Sequence, residues 1–426
     1  MEKAAPLSSN PVIQDNPKAE PPVMVDDVEA GGKNLQTEVV HADYNQHQSA
    51  ADKALVWRQD IRIMPITSVC YLLCYLDRSN IGNAKVLNAD EGHDLLSETS
   101  MTNYQYTIAL MVFLIAYTEE RSLRVGVMIA SATLAGAFGG AIAYGVGYMD
   151  GTSGLSAWRW LFIIEGIPSC VSAVVIWFIL PDYPETASWL SSEEKALATD
   201  RLRLDGSKGG AKSMTWKEAK ETLTDWRLYL HYALYFGISA PYSALSLFAP
   251  SITAGLNYKG LQAQLMTVPP YAVAYVVTVA VAWSADHFNA RAIHSACLAT
   301  IGAAGFLASA TLPPHAYLQR YGCLIVATSG TFSCIPPLLG WLSSNMFNTA
   351  ATGLAIALNV SFGAPGQITG VWIYKADEKA RGYPTGHFVN AGLLFFVAVG
   401  GLALRLYYRM LNRKTSREGG DRFYVY

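Results

Sequence analysis

The chain is short of charge. Asp, Glu, Lys and Arg make up 15% of its 426 residues, against roughly 25% in an ordinary soluble domain, too few to cover a soluble surface. It also lacks an excess of either sign: the formal net charge is -2, so no basic field points to nucleic acid. Six cysteines fall in or near apolar stretches with neither zinc-ligand spacing nor a disulfide framework. Cys70 and Cys74 lie one helical turn apart and read as packed or lipid-facing thiols. The eight histidines show no metal-ligand clustering. No strand precedes the glycine run at 136–147 and no lysine follows it, which excludes a nucleotide loop. With no nucleophile, base or metal cluster, the sequence reads as a non-enzyme without cofactor. No apolar h-region stands near the start, so a cleaved signal peptide is not expected.

What is present is apolar length. Hydrophobic residues make up 51% of the chain, and the mean hydropathy of +0.21 is lowered by a polar beginning. Residues 1–56 are rich in Pro, Asp, Glu, Asn and Gln and read as a disordered cytosolic tail. Apolar segments follow at 62–84, 104–118, 124–148, 159–180, 228–256, 264–285, 291–312, 318–343, 350–374 and 387–411. Most approach or exceed the ~20 residues that cross a bilayer. Trp158, Trp160, Trp283, Trp341 and Trp372 stand near segment ends, where amphipathic rings favour the headgroup level. The expectation is an all-α membrane protein, a two-half bundle of about ten spans. Residues 57–180 form a four-span first half, 181–227 a cytosolic linker, 228–411 a six-span second half and 412–426 a cytosolic tail.

Charge orients the bundle. The linker carries Lys195, Arg201, Arg203, Lys208, Lys212, Lys217, Lys220 and Arg227, and positive loops mark the cytoplasmic side. Both termini are then cytosolic, and the acidic loop 86–103 is outside. The loop at 375–386, with Lys375, Lys379 and Arg381, disagrees. Ser191 to Glu194 and Thr215 to Glu218 fit capping boxes at the start of short linker helices.

The stretch Tyr75-Leu76-Asp77-Arg78-Ser79-Asn80-Ile81-Gly82-Asn83-Ala84 resembles the first span of the major facilitator superfamily, anion:cation symporter family. Within it the chain looks like the fungal allantoate, nicotinate and pantothenate permeases. Tyr104-Gln105-Tyr106, Trp158 to Gly166 and Pro181-Asp182-Tyr183-Pro184 match as well. Asp286, Asn289 and Arg291 resemble a degenerate copy of the superfamily's cytoplasmic Asp/Arg loop. Such permeases have twelve spans, six on each side of the linker. Here Tyr117 and Thr118 run directly into Glu119-Glu120-Arg121, which resembles the loop after a fourth span. Spans three and four are missing, and two ~20-residue helices with their connections account for roughly 60–75 residues. A pair lost together leaves the topology of the rest unchanged.

Asp77 and Arg78 carry the sharpest signal, because ionisable groups inside a span are costly and mark pathways. The guanidinium fork of Arg78 matches a carboxylate, and Asp77 suits gain and loss of a proton; the resemblance implies the same two roles. The plainer alternative is that both hold the helix end at the outer water boundary. Asn80, Asn83, Tyr104, Tyr106, Tyr242, Tyr271, Tyr275, Asn359 and Gln367 are polar groups that would line a central cavity for a small organic anion, or else bond between helices. Gly136 and Gly140 have the spacing for close helix approach, and Pro365 with Gly363 and Gly366 suits a break or kink. Arg159 and Glu165 are expected to pair at the outer face, and Asp286 with Arg291 to brace helix ends and set the inward/outward balance. The function expected is secondary transport of a small organic carboxylate by proton symport across the plasma membrane. The alternative is a transport-inactive chain or an incomplete coding sequence.

Overall fold

The structure, a computed structural model, describes residues 33–88, 94–99, 122–179, 187, 189–196, 216–258, 260–346, 349–418 and 424–426. Every regular element among them is helical: α1 (Lys33–Ala84), α2 (Leu95–Glu98), α3 (Ser122–Gly147), α4 (Ala157–Ile179), α5 (Trp216–Thr224), α6 (Trp226–Gly255), α7 (Leu261–Leu265), α8 (Val268–His287), α9 (Arg291–Thr311), α10 (Tyr317–Ser344), α11 (Thr349–Trp372) and α12 (Pro384–Glu418). Short 3-10 turns occupy Thr152–Gly154 and Ala376–Arg381. Nine of the ten apolar segments coincide with helices; the tenth, 104–118, lies outside the described residues. α1 begins at Lys33, well inside the stretch read as a disordered tail. Ala, Gln, Glu, Leu and Lys supply helix propensity there without an apolar period. Residues 1–32 lie outside the described residues.

Among the described residues, six stretches are long and apolar enough to cross a membrane: Ala157–Val175, Leu261–His287, Arg291–Thr311, Tyr317–Ser344, Ala351–Trp372 and Pro384–Glu418. α6 has the length but is less apolar, carrying buried Ser239, Ser243, Ser246, Ser251 and Thr253. Sequence chemistry fixes several ends. Asp225 caps α6, accepting from Arg227 N at 3.1 Å. Ser191 and Glu194 form the reciprocal box, at 3.0 and 3.2 Å, while Thr215 lies outside the described residues. Before α12 the chain turns through Gly382 at φ 76°, and Glu378 accepts from Thr385 N at 3.1 Å.

The helices from α6 onward form a packed body. α9 lies against α10 and α12, α6 against α11 and α12, and α8 against α10. Their shared core holds Phe306, Phe332, Trp341 and Leu394, all essentially inaccessible. Trp341 is therefore a core residue rather than an interfacial one; its indole N–H donates to Val425 O at 2.8 Å. α11 runs unbroken through Pro365. α4 is different. Only 11% of its apolar window is buried, against 78% for α10, and Phe162, Ile167, Val171, Val174 and Phe178 are exposed. Among the elements it meets, α3 is its main helical neighbour, with α1 along one stripe.

Candidate functional site

That stripe is Ala157, Leu161, Glu165 and Ser169, four residues apart and so on one face. Ala157, Leu161 and Glu165 are at most 2% exposed. Leu87 packs with Ala157 and Leu161, Asn80 stands beside Glu165, and the Asp77 carboxyl stands near the Ser169 hydroxyl. As residue numbers rise on one helix they fall on the other, so α1 and α4 run antiparallel. The Ser169 hydroxyl donates to the Glu165 main-chain oxygen at 3.3 Å. Asn80 is 0% and Glu165 2% exposed. Neither carboxylate oxygen of Glu165, and neither amide atom of Asn80, has a hydrogen-bond partner among the described residues.

The expected Arg159–Glu165 pair does not form. Six residues on a helix separate the two by about 9 Å along the axis and point them apart. Arg159 instead pairs with Glu98 of α2 at 3.2 Å, and Glu98 also receives the Trp158 indole N–H at 3.1 Å. Arg78 lies on α1 next to Asp77; its side chain lies outside the described residues, as do Tyr104 and Tyr106.

A second cluster joins α1 to the later helices. The Tyr75 hydroxyl is hydrogen-bonded to Ser246. Its ring lies 6.1 Å from Tyr242, which is 5.0 Å from Phe332, which is 5.6 Å from Tyr271. Tyr271 donates to Leu245 O at 2.9 Å. Tyr275, one turn on, is half-buried. Nearer the ends of α1 and α3, Asn83 O accepts from Gln264 Nε2 at 3.0 Å, Gly82 packs on the Leu247 backbone, and Gly140 and Gly147 meet Thr267 and Leu261. We call this the far end, opposite the linker end where α6 starts. Sequence reasoning missed Tyr75, Ser246 and Gln264, since nothing in one segment announces its partner in another.

Asn359 sits on the α11 stripe with Gly363, Gly366 and Gly370, and those glycines press on α6. It is buried and its Oδ1 has no partner among the described residues. This is a position between helices. Gln367, also buried, lies one residue off that stripe. At the linker end, Arg291 Nε donates to Asp286 Oδ1 at 2.8 Å and its Nη1 bonds Ser344, tying α8, α9 and α10 together.

The family model for the Major Facilitator Superfamily matches residues 105–371. The chain is 57% identical to the MFS transporter prlL of a fungal species (strain NRRL 50135), covering 93% of each chain. The chain belongs to the major facilitator superfamily. As a superfamily member it is a multi-pass membrane transporter and not an enzyme. The MFS-type transporter cnsO of Penicillium expansum is 26% identical, over 94% of this chain and 93% of that one. The xylose transporter XylE from E. coli, in a partially occluded inward open conformation, is 14% identical at a TM-score of 0.46, covering 79% and 78%. The prlL alignment has a telling length. Its 469 positions take in 93% of 426 residues, about 396, leaving about 73 positions with no residue from this chain. That is the size of two spans with their connections.

Proposed function

We propose that this superfamily member is a proton-coupled transporter of a small organic carboxylate, of the anion:cation symporter type. It sits in the plasma membrane with both termini cytosolic, and its halves, 57–180 and 228–411, rock about a central site. The observation that carries the reading is closure at the far end: α1 and α3 meet α6, α7 and α8 there through Asn83–Gln264, Gly140–Thr267 and Gly147–Leu261. With the basic linker in the cytosol, the far end is extracellular and this is an outward-closed state. Arg78 receives the carboxylate and Asp77 handles the proton. Asn80, Asn83, Tyr104, Tyr106, Tyr242, Tyr275, Asn359 and Gln367 contribute polar lining, while Arg159, Glu165, Asp286 and Arg291 set the balance between states.

The test is uptake by the full chain in proteoliposomes, with a panel of small carboxylates and their neutral amides. The expected result is carboxylate accumulation under an inward proton gradient, abolished by a protonophore. Arg78→Lys should lower it tenfold or more, since an ammonium lacks the planar fork. Equal uptake of the amides would overturn the assignment. The unmatched alignment positions and the exposed α4 favour a second reading, a transport-inactive chain lacking two spans. A transcript with extra coding sequence between Tyr117 and Glu120 would dismiss it; a transcript matching this chain, with no uptake, would establish it.

A further inference from the structure

We infer that Glu165 is the proton-carrying group of this transporter, held between Asp77 and Asn80 of α1 and Ser169 of its own helix. The inference rests on the proton-coupled reading and moves the proton from Asp77 alone to a site that Asp77 shares.

Position comes first. Glu165 lies eight residues into α4, about 12 Å along its axis, near the middle of a hydrocarbon layer about 30 Å thick. α4 is apolar on its exposed faces, yet its α1-facing stripe turns polar at Glu165 and Ser169. A carboxylate there with no partner is strongly disfavoured, so the site requires a neutralising ligand. No described side chain supplies a positive charge. α1 brings Asp77, a like charge within electrostatic reach. α3, the other neighbour among the described residues, carries only Tyr144 as a titratable group after Arg124. On α4 itself, Arg159 is engaged with Glu98.

One proton resolves the site. A protonated Glu165 donates its O–H to Asn80 Oδ1 and accepts from Asn80 Nδ2 with its other oxygen, after a rotation of the two side chains. Four buried atoms without partners are then satisfied together, with no net charge added to the bilayer interior. Asp77 stays in place near Ser169. Loss of the proton restores a charge that the α1–α4 contact cannot hold. The carboxylate must then reach water, which couples deprotonation to movement of α1, the helix that bears Arg78 and the Tyr75 contact to α6.

The experiment uses the full chain in phospholipid nanodiscs, with protons as the only probe. Infrared difference spectra between acid and alkaline buffer report the carbonyl stretch of a protonated carboxyl, recognised by its shift in D2O. Wild type is expected to show the band, and Glu165→Gln to lose it together with about one bound proton per chain. Glu165→Asp should retain it at a shifted frequency, and Asp77→Asn should shift it without abolishing it. Thermal unfolding of each variant verifies that the fold is intact. A band that survives Glu165→Gln overturns the proposal. So does a wild-type band erased by sodium at constant pH, which would make the ligand a metal cation. A wild type with the band but no carboxylate uptake would sink the transport reading alone, and uptake without the band would sink this one alone.

Discussion

A single methyl group tests whether the far-end contact is a gate. A Cβ on Gly140 would collide with Thr267 Oγ1 and stand 2.8 Å from Gln264 O. Thr267 can rotate, at the loss of its 2.8 Å bond to Gln264 O; the carbonyl cannot, so α3 must withdraw by half an ångström or more. Overpacking of this kind costs about 1–3 kcal/mol. If the far end opens during transport, that cost falls on the closed state only and shifts the population about 5–150-fold toward the open one. Gly145 is the control: it lies on the same helix, and a Cβ there meets nothing within 4 Å. Whatever propensity alanine adds is common to both variants. The assay starts from a chain with its six cysteines replaced and Gln264→Cys added, and follows modification by a membrane-impermeant thiol reagent. Gly140→Ala should raise the rate by that factor, and Gly145→Ala should leave it unchanged. An unchanged rate in Gly140→Ala with lowered thermal stability would show a static packing contact and refute the gate.

At the linker end, Asn345 accepts from Val425 N at 2.8 Å and donates to Trp341 O at 2.9 Å, so Asn345→Ala should lower stability by about 1–3 kcal/mol. Thermal unfolding reads it, and no change would mean that the Tyr424–Tyr426 segment adds nothing to the fold. The Asp286–Arg291 pair, at 27% and 20% side-chain exposure, should show a coupling of about 1 kcal/mol or less in a double-mutant cycle, falling with added salt; a salt-independent value would place it outside solvent screening. The Ser191 backbone N–H, with Arg58, holds the Glu194 carboxyl below the usual carboxylate range. Its contribution is therefore complete above the ordinary glutamate range and is lost as pH falls through the lowered folded value. Fluorescence of Trp189, over whose ring Arg62 sits at 5.2 Å, should report that transition in wild type, and Glu194→Gln should lack it.

The helices were legible in the sequence because a bilayer imposes length, and length survives without any knowledge of neighbours. Close approach at Gly136 and Gly140 was legible for a similar reason, since small residues one turn apart serve contact wherever the partner comes from. Partners were not legible. Arg159 and Glu165 look like a pair when only α4 is in view. Glu98, more than fifty residues earlier, takes the arginine because it reaches the start of α4, where Arg159 points. Glu165 looked like a helix-end residue until the antiparallel register with α1 placed Asn80 and Asp77 against it. Trp341 followed the rule for interfacial rings by position but packs on His231 and Tyr408 and donates to Val425 O, in a segment held by Asn345 and Asn412 side chains that carry no periodic signal.

The second reading, a chain lacking two spans, and the Glu165 site are separable. α4 meets α1 along the stripe Ala157, Leu161, Glu165 and Ser169, while Ile163, Ile167, Val171, Val174 and Phe178 are exposed on its other faces. Two further helices would cover those apolar faces. Lipid covers them too, and since lipid tails are as apolar as leucine, either cover satisfies the same surface at little difference in free energy. The antiparallel register is fixed on the opposite face by Leu87, Asn80 and Asp77, none of which needs the added spans. A longer version of the chain, carrying the two helices, should therefore keep the infrared band at Glu165 even as it gains uptake. If the band appeared only in the longer version, the register along α1 and α4 would depend on those two helices, and the proton site would belong to them.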